Sequence, residues 1–189
     1  MAIAKRLLEP DEIDKDLKDS HGRTPLSWAA SFGQNDLVTL LLDSGQVDGN
    51  FKDREGLTPL SHAARQGHSV VVKLLLESGE VDVGLEDNEG RTPLLWASSR
   101  GRAEPVQLLL ESGRANVNHK DRDGRTAISH AAQSGHATVV ELLLGLDKVD
   151  AALADNMGRT PLSWAESNGH DIIANLLLKS GKSVAFSEG

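Results

Sequence analysis

Residues 22–30 read Gly-Arg-Thr-Pro-Leu-Ser-Trp-Ala-Ala, and close variants of this stretch return four more times along the chain. The variants begin at Gly56, Gly90, Gly124 and Gly158, so the spacing is 34 residues each time. A fixed period of about 20 to 50 residues is typical of stacked repeat proteins, in which each unit buries its apolar face against its neighbours. The sequence therefore predicts one elongated domain made of repeated units.

Each unit begins with an Asp-x-x-Gly tetrad, at residues 19–22 in the first unit and 155–158 in the last. Asp at the first position and Gly at the fourth favour a type I turn. The Thr-Pro pair that follows predicts the start of a helix, because the Thr hydroxyl can cap free N–H groups and Pro fits the first helical position. The capping threonines are Thr24, Thr58, Thr92, Thr126 and Thr160.

A second helix is predicted in each unit. Nine residues after each of these threonines comes a glycine such as Gly33, which can hold the left-handed conformation that ends a helix. A run of apolar residues follows and stops at a Ser-Gly pair, at residues 44–45 in the first unit. The unit is therefore helix, turn, helix and loop, and the stripe Leu26, Ala29 and Ala30 on its first helix is expected in the core.

The motifs Gly-x-Thr-Pro-Leu, Ala-Ala, Gly-His, Val-Val-x-Leu-Leu-Leu and Ser-Gly recur in register across residues 22–181. In this order they resemble the ankyrin repeat. The resemblance implies an all-α solenoid of stacked antiparallel helix pairs, with β-hairpin-like loops that project from one side. The sequence of residues 22–29 is most similar to the ankyrin arrays of large fungal multidomain proteins, including NOD-like receptors.

The alignment of these motifs gives the predicted boundaries. Residues 1–21 match the second half of a preceding repeat and are expected to form an N-terminal cap, and residues 182–189 are a C-terminal tail. Five repeats are expected between them, at residues 22–55, 56–89, 90–123, 124–157 and 158–181.

Three departures from the family pattern predict local irregularities. The histidine that is common after Thr-Pro-Leu is a serine in four units and Leu95 in the third, where its hydrogen bonds are lost. Residues 145–147 read Gly-Leu-Asp in place of the usual Glu-Ser-Gly, so this junction should be the least regular and the first to open. Glu166 stands where other units have Ala or Ser, which is tolerable only on a face open to water.

Composition narrows the classes of function. The 189 residues include no cysteine, and 20 basic against 28 acidic residues give a net charge of −8. The absence of cysteine fits a reducing compartment, and the negative charge disfavours nonspecific binding to nucleic acid or anionic membranes. No apolar run is long enough to span a bilayer, so we expect a cytoplasmic or nuclear protein.

Catalytic, cofactor and metal sites have no recognisable pattern in this sequence. His68, His136 and His170 recur in the connection between the two helices and are explained by the repeat. No nucleophile elbow, phosphate-binding glycine loop or zinc-type histidine spacing occurs. We therefore expect no enzyme activity, cofactor or metal. As an isolated fragment, the chain is expected to be a monomer.

One column of rings is the main candidate for a binding site. It lies two positions after the Leu or Ile of each first helix, and it contains every tryptophan of the chain: Trp28, His62, Trp96, His130 and Trp164. The rings are adjacent to the apolar stripe and should face the groove, about 8 to 10 Å apart. Two interpretations stay open, a structural filler between helices or a ladder that binds a partner, since Trp is enriched at interface hot spots.

Positions on the same side vary between repeats while the rest of the unit does not. They include Phe32, Arg65 and Arg100 at the ends of first helices, and turn tips such as residues 54–55 and 88–89. Variation within strict repetition is what a recognition surface needs. The predicted partner-binding residues are Trp28, Phe32, His62, Arg65, Trp96, Arg100, His130 and Trp164.

The hypothesis from the sequence is a non-catalytic module that binds a protein or peptide through its concave groove and turn tips. An alternative is a ligand-sensing or regulatory segment of a larger signalling protein, such as a NOD-like receptor ATPase. A third is a purely structural spacer. A nucleotide-binding domain encoded upstream of Met1 would favour the sensor.

Overall fold

A computed structural model of the chain describes residues 17–181. Within these residues there are ten α-helices and no strand. The helices are α1 (Pro25–Ser31), α2 (Asn35–Asp43), α3 (Pro59–Gln66), α4 (Ser69–Glu77), α5 (Pro93–Ser99), α6 (Ala103–Glu111), α7 (Ala127–Gln133), α8 (Ala137–Leu144), α9 (Pro161–Ser167) and α10 (Asp171–Ser180). Most of the expected N-terminal cap, residues 1–16, and the expected tail at 182–189 lie outside the described residues.

The helices form two layers. The first helices of the repeats, α1, α3, α5, α7 and α9, pack each against the next, and the second helices, α2, α4, α6, α8 and α10, do the same. Each first helix also packs against the second helix of its own repeat. The predicted all-α stack of helix pairs is confirmed.

Local chemistry fixes where the first helices begin and end. Each starts after a capping threonine whose hydroxyl accepts a backbone N–H three residues on, for example Ser61 N–H to Thr58 Oγ1 at 3.1 Å. Four of the five have proline at the first position. The chain leaves α3 through Gly67, whose φ of +90° is accessible to glycine at little cost.

The core between the layers is aliphatic and rich in alanine. Leu26, Ala29 and Ala30 are fully buried, as predicted, and equivalent residues of the later repeats extend the cluster along the stack. Ser98 occupies one of these alanine positions, and its hydroxyl is buried with no hydrogen-bond partner among the described residues. Glu166 occupies the same position in the fifth repeat and is exposed, as the sequence predicted.

The end of α8 differs from the ends of the other second helices. At the ends of α2, α4, α6 and α10 a serine hydroxyl donates to a carbonyl of the last turn, as from Ser78 to Leu75 O at 2.8 Å. A glycine with positive φ follows each of these serines. At α8 the capping residue is Gly145 with a helical φ of −64°, and the chain continues through Leu146 without either feature. The predicted irregular junction is therefore present.

Polar side chains join the loops of successive repeats. The amide of Asn50 donates to Glu80 O at 2.9 Å and accepts from Asp82 N–H at 2.7 Å. Asn118 makes the same two bonds to the loop that follows α8, at 2.8 and 3.0 Å. These bonds satisfy loop backbone groups that would otherwise depend on water.

Candidate binding groove

The turn at the start of each repeat is a rigid hydrogen-bonded unit. Asp87 O accepts from Gly90 N–H at 3.0 Å, and one carboxylate oxygen of Asp87 accepts from the N–H groups of Glu89 and Arg91 at 2.8 and 2.9 Å. A backbone bond also joins successive turn tips, as from Asn88 N–H to Glu55 O at 3.0 Å. The expected β-hairpin-like loops are thus tight turns that form a continuous row.

Four rings of the predicted column bind the other carboxylate oxygen of the aspartate in their own turn. Each ring lies nine residues after its aspartate, and its N–H points at Oδ2. The pairs are His62–Asp53 at 2.8 Å, Trp96–Asp87 at 2.9 Å, His130–Asp121 at 2.7 Å and Trp164–Asp155 at 3.1 Å. Trp and His alternate in this column because both present a ring N–H at the required place.

These four rings are almost completely buried. The exposed fractions of Trp96 and Trp164 are 6% and 8%, and those of His62 and His130 are 9% and 7%. Their ring N–H groups are directed to the turns, so their described contacts are those of a structural filler.

Three guanidinium groups lie over the buried ring of Trp96. Arg91 lies 3.8 Å from the centroid of the Trp96 ring, Arg65 of the preceding repeat lies 4.4 Å from it, and Arg100 lies 5.8 Å from it. Arg91 also pairs with Asp87 at 3.1 Å. Stacking on an aromatic face fixes these long side chains in place.

The carboxylates of the turns ionise easily in this setting. Backbone and side-chain hydrogen bonds from Arg23 lower the pKa of Asp19 to about 2. Burial acts to raise the pKa of Asp121, but hydrogen bonds from His130 and from the Arg125 backbone outweigh it, and the pKa is lowered.

Burial has the opposite consequence for a histidine. Desolvation lowers the pKa of His62 below its ordinary value of 6.5, against the raising effect of its hydrogen bond to Asp53. At neutral pH, His62 is therefore a neutral imidazole whose ring N–H donates to the carboxylate of Asp53.

Trp28, the first ring of the column, differs from the rest. It is 43% exposed, and its ring packs at a 40° tilt against that of Phe32, itself 54% exposed, with the centroids 4.6 Å apart. Asp19 binds Arg23 at 2.7 Å, with no bond from the Trp28 ring to it among the described residues. Repeat 1 therefore presents an aromatic pair to solvent.

We define the groove as the surface between the turn tips and the C-terminal ends of the first helices. It is open between repeats 1 and 2, where it forms a cleft of about 390 Å³. The cleft is lined by Ser20, His21, Arg23, Ser31, Phe32, Asp53, Arg54, Glu55, His62, Arg65 and Gln66. This opening is large enough to accept side chains of a bound segment.

At repeat 4 the groove is bridged. Arg125 reaches from the turn to α7, where it donates to Gln133 Oε1 at 3.2 Å, and it also binds the carboxylate of Asp123. One side chain thus joins the two walls. Repeats 1 to 3 lie on the N-terminal side of this bridge.

The structure divides the eight predicted site residues into two groups. Trp28, Phe32, Arg65 and Arg100 reach the surface of the groove, whereas the remaining four are the buried rings described above. Sequence reasoning missed the turn aspartates as the partners of these rings. The signal was available, because the nine-residue interval from aspartate to ring recurs in every repeat.

Two other kinds of feature are absent from residues 17–181. No group of three or more His, Asp or Glu side chains is arranged to hold a metal ion there. None of the helices in this part of the chain has the length and apolarity that crossing a bilayer requires.

Comparison with known families places the chain. A model described as ankyrin repeats in three copies matches residues 45–121 and again 114–186, and a model of the single ankyrin repeat matches residues 21–54. No curated protein matches the chain. Ankyrin repeats are generally protein–protein interaction modules, typically without catalysis. Since the matched residues cover most of its length, this chain belongs to the ankyrin repeat family.

Proposed function

We propose that this chain is a non-catalytic module that binds a protein or peptide partner in the groove of repeats 1 to 3 and along the adjoining turn tips. The cytoplasmic or nuclear location and the monomeric state expected from the sequence are part of the same proposal. The observation that carries it is the open cleft between repeats 1 and 2, with the exposed pair Trp28 and Phe32 at its side. Aromatic side chains and arginines are the residues most often found at the energetic centre of interfaces.

The rigidity of the groove also supports binding. Its turns are fixed by the aspartate bonds, and its floor is fixed by the buried rings of the column. A surface that is already ordered loses little conformational freedom when a partner docks. His62, Trp96, His130 and Trp164 then serve the partner indirectly, by holding the turn tips in position.

Site-directed photo-cross-linking tests this function. The chain has no cysteine, so a single Gln66→Cys variant can carry a benzophenone maleimide at a defined exposed place in the cleft. Lys73→Cys is the matched control, because Lys73 is 62% exposed on the second helix of the same repeat. We expect cell proteins to cross-link to the label at position 66 and not to the label at position 73.

Competition makes the result specific. Excess unlabelled chain should abolish the cross-link at position 66, since the sites for the partner are then occupied. Identical cross-linked proteins at both positions, or none at position 66, would contradict binding in the groove.

The remaining sequence-based hypotheses stay predictions. They are the sensor of a larger signalling protein, the structural spacer and the likeness to the ankyrin arrays of fungal NOD-like receptors.

A further inference from the structure

Arg54 and Arg100 are arginines of the groove that have no carboxylate partner among the described residues. Arg23 pairs with Asp19 and Arg91 pairs with Asp87, but neither Arg54 nor Arg100 makes an ion pair with any of the described residues. Both side chains are exposed. In a chain whose net charge is −8, two unpaired guanidinium groups on one surface are a local departure from the overall charge.

Arg65 lies between them and is only partly neutralised. Its guanidinium is 3.8 Å from Glu55, a carboxylate that is 73% exposed, and it rests on the Trp96 ring at 4.4 Å. An exposed pair at this distance is weak and is readily exchanged for another carboxylate. The groove therefore carries three guanidinium groups, with Arg54 at the turn tips and Arg65 and Arg100 at the ends of the first helices.

The aromatic pair lies next to these arginines. Phe32 and Arg65 both line the cleft between repeats 1 and 2. Phe32, Gln66 and Arg100 occupy the same position of successive repeats. At repeat 2 the charge is carried by Arg65, which precedes Gln66. The order along the groove is thus an apolar site at repeat 1, a basic site at repeat 2 and a second basic site at repeat 3.

The spacing sets the length of a ligand. Neighbouring packed helices lie about 8 to 10 Å apart, so Phe32 and Arg100 are separated by roughly 20 Å along the stack. An extended chain advances about 3.3 Å per residue, so about six residues span this distance.

We infer that the groove of repeats 1 to 3 binds an extended acidic segment of a partner protein, which places an apolar side chain on Trp28 and Phe32 and carboxylates against Arg54 and Arg65 and against Arg100. The first carboxylate is about three residues, and the second about six residues, from the apolar side chain. This inference rests on the proposed function and adds the chemistry of the partner.

Selection from a displayed library of random dodecapeptides on the full chain tests it. Enriched peptides should carry an apolar residue followed or preceded by at least two Asp or Glu at this spacing. Replacing those acidic residues by Asn or Gln in a synthetic peptide should weaken binding about tenfold or more, and added salt should weaken it as well.

Variants of the chain locate the site. Arg100→Glu and Phe32→Ala should each weaken binding of the selected peptide about tenfold or more. Each variant removes an exposed contact, Phe32 at the repeat 1 end and Arg100 at the repeat 3 end of the proposed site. Lys73→Glu makes the same charge reversal on an exposed site of α4 and should leave the affinity unchanged. Equal melting temperatures of the variants would show that the fold is retained.

Each other outcome separates the two proposals. A library with no enriched peptide, or peptides that are not weakened by Arg100→Glu, overturns the acidic segment. Neutral or basic peptides that are lost with Phe32→Ala overturn the acidic segment and retain the groove as the binding site. Peptides unaffected by both variants overturn the inference and the proposed groove together.

Discussion

At the residue scale, a hydrogen bond from a ring N–H to a carboxylate nine residues earlier joins the first helix to its turn in four of the five repeats. Trp96 binds Asp87 as His62 binds Asp53, so two chemically different side chains perform one task. The bond ties the first helix to its turn, and a charge-assisted hydrogen bond of this kind is stronger than a neutral one. The column therefore contributes to the placement of the turn tips.

The first prediction concerns this bond. Trp96→Phe keeps a ring in the buried site but removes the N–H that binds Asp87, so the free energy of unfolding should fall by about 1 to 3 kcal/mol. Trp28→Phe should change it by less than about 0.5 kcal/mol, because Trp28 is exposed and no bond from its ring to Asp19 is present. Urea unfolding of both variants provides the measurement.

Equal losses in the two variants would contradict a specific role of the ring bond. The comparison is informative because the same substitution is made at equivalent positions, one with the bond and one without it.

The sequence predicted the position of the ring column and left its role open. The identity of a residue does not show whether its ring faces the groove or the turn. The direction of the ring depends on its hydrogen-bond acceptor, the aspartate in the turn. The same limit applies to Ser98, which fits the repeat as a small residue although its hydroxyl is buried without a partner. Exposure of Phe32 followed more directly, because that position varies from repeat to repeat.

A second prediction at this scale concerns pH. The pKa of His62 is lowered in the folded state, so between that value and 6.5 the unfolded chain binds more protons than the folded one. The contribution of His62 to the free energy of unfolding should therefore be fully present above pH 6.5 and should decrease as the pH falls below 6.5. The carboxylate of Asp53 faces the ring and favours its charged form, while Arg23 and Arg65 oppose it.

Unfolding by urea at several pH values between 5 and 8 measures this effect. In His62→Gln the amide can replace the ring N–H and does not titrate, so the decrease below pH 6.5 should be smaller than in the parent. His21→Gln, at an exposed turn tip, should follow the parent. Identical pH profiles for the parent and His62→Gln would exclude a contribution from this histidine.

At the element scale, the helices follow closely from short-range chemistry. Thr-Pro starts and glycine ends are local signals, and the first helices begin and end where these signals predict. The bridging of the groove by Arg125 could not be predicted, because the direction of that side chain depends on Gln133 and Asp123 in the folded repeat. The irregular end of α8 was predictable, since residues 145–147 break the pattern in the sequence itself.

The end of α8 is the weakest junction that we expect in the stack. Gly145 has a φ of −64°, and an added Cβ would lie 3.4 Å from the backbone oxygen of Leu142, an ordinary contact. Gly145→Ala should therefore stabilise the chain by about 0.5 to 1 kcal/mol. Amide hydrogen exchange should be faster in residues 137–160 than in residues 58–80, and the variant should reduce the difference.

Gly135→Ala is the matched control for this substitution. Its φ is +79° and an added Cβ would lie 2.8 Å from the His170 ring, so this variant should be destabilised. Equal protection of the two segments in the parent chain would show that the α8 junction is no weaker than the middle of the stack.

At the scale of the whole molecule, the polar links between repeats alternate. Asn50 and Lys52 join the loops of repeats 1 and 2, and Asn118 and Lys120 make the same bonds between repeats 3 and 4. Between repeats 2 and 3 the link is different, because Arg114 donates to carbonyls at the end of α4 and in the loop after it. Stability in such a stack is a sum of repeat energies and nearest-neighbour interfaces, so each link acts on the repeats beside it.

The pair Asn50 and Asn118 tests this picture because the same amide makes the same bonds at two places in the stack. Asn118→Ala removes two hydrogen bonds of about 0.5 to 1.5 kcal/mol each between repeats 3 and 4, next to the weak end of α8. Amide protection should then fall in α8, α9 and α10 and stay unchanged in α1 and α2. Asn50→Ala should have the opposite pattern, with the loss confined to α1 and α2, because the interface between repeats 1 and 2 lies at the other end of the stack.

Hydrogen exchange read by mass spectrometry distinguishes the two variants. A uniform loss of protection along the whole stack in either variant would mean that the repeats unfold as a single cooperative unit.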